Sequence, residues 1–187
     1  MIWEPLIAPD GFYRQLQWTA RVDTSLGVAN PNGTNMVLSN YLGLGQWTRS
    51  RTTIDSNLTM HAGSMSIAAN AADRAAIISG LDDMRGVLGN ITDLTILQPA
   101  GNITSAAYVD STQHAAVNHW VGTCKMGVDD GRMGGEAVVD PDAKVYGMDN
   151  LFVVDASVLP GLTTANPSAM IVVVAERAAE RILALRG

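Results

Sequence analysis

Residues 151–182 begin Leu151-Phe152-Val153-Val154-Asp155-Ala156-Ser157 and continue, after a short Gly/Thr-containing connection, as Asn166-Pro167-Ser168-Ala169-Met170-Ile171-Val172-Val173-Val174-Ala175-Glu176-Arg177 to Ile182. Four consecutive apolar residues ending in an aspartate predict a central strand, buried on both faces and paired in parallel. Asn166-Pro167 predicts a helix start, with asparagine as N-cap and proline at the first helical position, where its missing N–H costs nothing. The β-branched run is open to a strand reading. Pro167 and the Glu176, Arg177, Glu180, Arg181 spacing instead fit one helix of about five turns. Its first turns are apolar all round and should be buried, and an amphipathic stripe of Ala175, Ala178, Ile182 and Leu185 follows. In open α/β sheets ligands bind beyond the carboxyl ends of the strands, where Asp155 stands, and a helix N-terminus such as that at Asn166 favours negative charge. This arrangement suits a cofactor. The simpler alternative, that Asp155 caps a turn and Asn166 a helix, stays open on spacing alone.

Working outward, the texture of the chain changes near residue 117. After it, glycines fall at 122, 127, 131, 134, 135 and 147, and two strand-like pieces, 137–140 and 144–146, precede the central strand. Before it, Phe12, Leu16, Trp18, Ala20 and Val22 alternate with Tyr13, Gln15, Gln17, Thr19 and Arg21, the pattern of a half-buried antiparallel strand. Residues 36–41 and 51–55 read as further strands of an antiparallel sheet, separated by a turn at Gly43-Leu44-Gly45. Asn70 is placed to cap a helix over 71–88 whose stripe is Ala75, Ile78, Leu81 or Asp82, Arg85 and Leu88, despite Gly80 and Gly86.

Composition bounds the function. The chain has 187 residues, 47% hydrophobic and 16% charged, and one cysteine, Cys124. It therefore folds around a core, without an internal disulfide or a cysteine zinc cluster. A net charge of -6 with 12 unclustered Lys and Arg argues against nucleic acid and an anionic membrane surface as partners. The longest apolar run, 169–175, is too short for a bilayer of about 30 Å, and the first residues lack the features of a signal peptide. Asn-x-Thr sequons at Asn32, Asn57, Asn90 and Asn102 outnumber the roughly 1.5 expected by chance and hint at secretion, the alternative being chance in a Ser/Thr/Asn-rich sequence.

His119, between Asn118 and Trp120 and ahead of a glycine-rich loop, is the side chain suited to accept a proton near neutral pH; a packed turn histidine is its plainer reading. His61, His114 and His119 have no metal-ligand spacing. Ser157 near Asp155 suggests a serine hydrolase, yet no Gly-x-Ser-x-Gly elbow is present. Cys124 reads as structural.

Together, the run 119–127 (His-Trp-Val-Gly-Thr-Cys-Lys-Met-Gly), Val138-Val139-Asp140-Pro141, Lys144-Val145-Tyr146-Gly147, Leu151 to Ser157, Pro160 and Thr164-Ala165-Asn166-Pro167 resemble the C-terminal signature of the glucose-methanol-choline (GMC) oxidoreductases. Asn118-His119-Trp120, Asp129-Asp130-Gly131-Arg132 and the ending 178–185 are most similar to the flavodehydrogenase portion of fungal cellobiose dehydrogenases. Residues 14–22, 41–43, 53–54 and 108–111 resemble its substrate domain. Cys124 follows the wider family's Gly-Thr-Cys-x-Met-Gly more closely than that subgroup's pattern.

The resemblance implies an α+β fold, the C-terminal segment of a GMC oxidoreductase. Residues 1–116 would form part of an antiparallel substrate-binding domain, and 117–187 an active-site segment and strand-helix completing an α/β FAD-binding domain. It implies FAD-dependent oxidation of the C1 hydroxyl of cellobiose or a related sugar to the lactone. His119 would be the base and Asn166 its partner on the same hydroxyl. Asp155, Ala156, Asn166 and Pro167 would touch FAD; Asn118 and Arg21 would touch the sugar, with Arg14 the alternative to Arg21. The Gly-x-Gly-x-x-Gly FAD-binding portion that such enzymes carry at the N-terminus is missing here, and a haem domain is a possible further partner. Other readings are a GMC oxidase of another subgroup and a non-catalytic, truncated sugar-binding or scaffold fragment. Alone, the chain should expose the apolar start of its last helix.

Overall fold

Three antiparallel strands open the chain, β1 (Ile2–Ile7), β2 (Tyr13–Val22) and β3 (Met36–Leu42), hydrogen-bonded in that order with Leu16 of β2 opposite both Glu4 and Leu42. The computed structural model describes residues 1–22, 35–62, 69–111, 119–164 and 166–185. They fall into two units, Met1–Ala115 and Ala116–Gly187, each with its own core. Pro5, which cannot donate to a ladder, lies on β1, an edge strand. Beyond the sheet, β4 (Thr52–Ile54) and β5 (Met60–Ala62) form a hairpin, and α1 (Ala71–Gly89) and α2 (Ser105–Ser111) follow.

The predicted cap of α1 is present: Asn70 Oδ1 accepts from the backbone N–H groups of Ala72 and Asp73. The buried face is different from the predicted stripe. It runs through Asp73, Ala76, Ile77, Gly80 and Met84, while Ile78 and Leu81 are only partly covered. Gly80 explains the rotation, because a Cβ there would collide with Leu16 Cδ1 and Asn40 Nδ2. The bare backbone thus lets α1 lie close on β2 and β3, and Leu16, Leu42, Ala76, Ile77 and Val109 form the core between sheet and helices.

The predicted apolar face of β2 is covered only in its first half. Leu16 is buried, whereas Ala20 and Val22 are exposed, and Phe12 stands outside the strand, edge-on to Trp47. Arg14, beside Leu16 on that face, is fully buried, and so is Asp73 of α1. Arg14 Nε donates to Asp73 Oδ1 at 2.8 Å, and its two terminal nitrogens grip Asp10 at 2.7 and 2.8 Å. Asp73 Oδ2 accepts from the Trp47 and Thr48 amides and from the Thr48 hydroxyl at 2.6–2.9 Å. Burial is tolerated because the charges are paired and their hydrogen-bonding capacity is used. The Arg14 guanidinium holds the Asp10 carboxyl below its usual range. Gly45, at φ +84, belongs to the same corner, where a Cβ would strike the Tyr13 carbonyl.

Glu4 is the contrasting carboxylate. Burial, then hydrogen bonding to Asp83 and its like charge, push its pKa up to about 7, with Trp18 acting in the opposite sense. A carboxyl raised in the folded state binds its proton more tightly there, so its stabilising contribution is full below the ordinary carboxylate range and is lost as pH rises to about 7. Glu4→Gln should flatten that slope and raise the urea midpoint at pH 8 relative to wild type. Equal pH slopes for the two proteins would show that Glu4 does not sense pH.

In Ala116–Gly187 the backbone is mostly turns and single bridges. Val139, fully buried, bridges Met126 in parallel and Val145 antiparallel, and with Ala137, Ala143, Val158, Leu159 and Ala178 it makes the core. The pieces 137–140 and 144–146 are thus bridges rather than strands. The expected parallel strand at 151–154 does not form: Phe152 makes one antiparallel bridge to Lys144, and Leu151 and Val154 are exposed. Its backbone groups are used locally instead, Val153 N–H donating to Ala143 and the Leu151 carbonyl accepting from Val145.

The last element, α3 (Ser168–Ala184), is the predicted helix, begun one residue later than expected. Its early turns are not buried, since Met170, Val172 and Val173 face outward. Of the predicted stripe, Ala178 is buried and Ala175 and Ile182 are partly covered, while Leu185 is exposed. Arg181 Nε donates to Asp142 Oδ1 at 2.9 Å and ties α3 to the preceding loop. Among the described residues no helix is long and apolar enough to cross a membrane, and no cluster of three His, Cys, Asp or Glu could hold a metal ion.

Candidate active site

Two chain segments meet in the second unit. The Cys124 amide donates to the Ser157 carbonyl at 3.0 Å and the Met126 amide to the Val158 carbonyl at 2.9 Å, so the loop after His119 is stitched to the turn after Asp155. Asp155 Oδ1 accepts from the Ser157 amide at 2.8 Å and caps the short 3-10 turn Ala156–Val158. Asp155 is exposed and Ala156 partly buried.

His119 is half-buried, and its Nε2 lies 3.4 Å from Asn166 Nδ2, although 47 positions separate them in sequence. Ser168 sets the amide's orientation. Its backbone N–H, at 3.0 Å, and its hydroxyl both donate to Asn166 Oδ1. An amide whose oxygen is engaged by two donors presents its N–H groups on the other side. Nδ2 therefore faces His119 Nε2, which can accept from it when the ring carries its proton on Nδ1. At 3.4 Å the contact is long for a hydrogen bond. A hydroxyl oxygen placed beside both nitrogens can donate to Nε2 and accept from Nδ2. The arrangement can take a proton from an alcohol and hold the oxygen as negative charge develops on it.

Sequence reasoning missed Ser168. Asn166 stands one residue before the N-cap, Pro167, rather than at it, and a hydroxyl residue two positions after an asparagine was the available signal, since Asn side chains bond locally to that position.

The beginning of α3 has the donor chemistry for part of a flavin. Its first-turn amides have no intrahelical acceptor, no acidic residue sits in that turn, and Pro167 is buried beneath it. The adjoining outward faces, Met170, Val172 and Val173, are apolar, as a largely apolar ring system requires.

Arg21 and Arg14 belong to the first unit, Met1–Ala115. Arg21 is exposed near the end of β2, paired in register with Val37. Arg14 is committed to Asp10 and Asp73, which withdraws it as a sugar contact. Asn118 falls outside the described residues. Cys124 is partly buried and free.

The C-terminal family model described as GMC oxidoreductase matches residues 48–175. Dehydrogenase pkfF of Emericella nidulans is 36% identical over 117 residues, which is 59% of this chain and 19% of that protein. Oxygen-dependent choline dehydrogenase 1 of Chromohalobacter salexigens is 38% identical over 89 residues, 46% of this chain and 15% of that protein. In fold, the chain is similar to pyridoxine 4-oxidase from Mesorbium loti, with a TM-score of 0.67 and 24% identity over 90% of this chain and 34% of that one. The chain thus spans less than a fifth of these curated relatives and about a third of the solved structure. With most of its length matched by the family model, the chain belongs to the GMC oxidoreductases, through their C-terminal domain.

Proposed function

We propose that this chain supplies the base and its amide partner to an FAD-dependent oxidoreductase acting on a CH–OH group, the C1 hydroxyl of cellobiose or a related sugar, which becomes the lactone. The observation that carries the reading is the His119 Nε2–Asn166 Nδ2 pair, with the amide held by Ser168. His119 takes the hydroxyl proton at Nε2. Asn166 donates to the same oxygen, and that interaction strengthens as the oxygen gains negative charge. FAD, when bound, takes up the hydride leaving the same carbon. The Ala169 and Met170 amides in the first turn of α3, with Asp155, Ala156, Asn166 and Pro167, would hold the flavin end of the cofactor. The remainder would be held by the portion that precedes this segment in the longer relatives. Asn118 and Arg21 are assigned to the sugar, and secretion and a haem domain as electron acceptor belong to the same reading.

A second reading, oxidation of a small primary alcohol, is favoured by the similarity to choline dehydrogenases. Anaerobic mixing of the family-length, FAD-loaded protein with cellobiose or choline decides between them. Cellobiose should bleach the oxidised-flavin absorbance. Bleaching by choline alone would overturn the sugar assignment and keep the chemistry, and no bleaching by any alcohol would leave the non-catalytic fragment.

A further inference from the structure

Four Asn-x-Thr sequons lie before residue 103 and have no part in the site above. Three are among the described residues, and each sits on a surface turn of Met1–Ala115 with an exposed asparagine. Asn57 is in the connection between β4 and β5, Asn90 is the C-cap of α1, and Asn102 is in the turn ahead of α2. Each turn also presents bare apolar surface. The β4–β5 hairpin exposes Ile54 (68%), Leu58 (86%) and Met60 (69%). Val87 and Ile91 flank Asn90, and Leu97 and Ile103 lie near Asn102, all exposed. Sequons in excess of chance, exposed asparagines and exposed apolar side chains nearby in sequence coincide at all three turns, the Asn90 side-chain amide also donating to the Gly86 carbonyl at 2.9 Å.

We infer that Asn57, Asn90 and Asn102 are N-glycosylated, and that their glycans cover these apolar turns. The donor is a lipid pyrophosphate-linked oligosaccharide of the secretory pathway. The asparagine amide nitrogen forms a bond to the sugar's anomeric carbon and loses a proton, and the bond from that carbon to the pyrophosphate oxygen breaks, releasing lipid pyrophosphate. Such glycans are attached to surface positions, where their bulk is accommodated by solvent. Exposed apolar clusters are otherwise association sites, which a hydrated oligosaccharide screens.

The test uses the protein isolated from its source. Peptide N-glycosidase treatment in oxygen-18 water should convert the three asparagines to labelled aspartates in tryptic peptides, and peptides already carrying unmodified asparagine at these positions would overturn the assignment. In a secreting yeast, Asn57→Gln, Thr92→Ala and Asn102→Gln should each remove one glycan-sized step on a gel. Enzymatic removal of all three from the folded protein should raise binding of an apolar-surface dye severalfold, and unchanged dye binding would overturn the covering role.

Discussion

His119→Ala in the family-length, FAD-loaded protein should slow substrate-driven reduction of the flavin by about 10²- to 10⁴-fold, the range expected for losing a positioned general base. Bound FAD should be unchanged, because His119 is not among the groups assigned to hold it and Ser168 keeps Asn166 in place without it. Rapid-mixing measurement of the reductive half-reaction separates these two quantities. A variant that reduces its flavin at the wild-type rate would remove His119 from the chemistry. Ser168→Ala should be intermediate, since Asn166 Oδ1 would keep the backbone donor and lose the hydroxyl.

Asp73→Ala should destabilise the first unit by about 3–5 kcal/mol, the cost of removing one partner of a buried ion pair. The loss has two parts. Arg14 would stay buried with only Asp10 to balance it, and the Trp47 and Thr48 amides would lose their acceptor. Replacing both charges, as in Arg14→Met with Asp73→Leu, should recover the first part but not the second, because those amides belong to the backbone. Urea unfolding followed by tryptophan fluorescence reads both variants. A loss below about 1 kcal/mol for Asp73→Ala, the range of a surface pair, would mean that water enters this corner and the network is dispensable.

What the sequence disclosed followed from local rules. Alternation marked β2, Asn70 marked the start of α1, and Asn166-Pro167 marked α3, each within about one residue. What it concealed depended on contacts distant in the chain. The face of α1 turned on Gly80 meeting Leu16, and Arg14 was ambiguous until Asp73, 59 positions away, was seen against it. The 151–154 run has the composition of a central strand, but a strand needs neighbours, and its backbone bonds go to residues 143–145. β1 was passed over because Pro5 interrupts it, and α2 because seven residues carry little periodicity. For the site, residue type suggested His119 as a base and only the family resemblance paired it with Asn166, whereas the direction in which the amide points depended on Ser168.

The chemical type of the side chain at position 166 limits how many charge states the pair can occupy. A carboxamide neither gains nor loses a proton in the ordinary pH range, and its oxygen is already engaged by two donors, so Asn166 would hold one electrical state through the proposed proton transfer. Every change of charge between the two side chains is therefore located on one imidazole. The proposed pair is thus one proton acceptor beside a fixed dipole, in contrast to two acids sharing a proton.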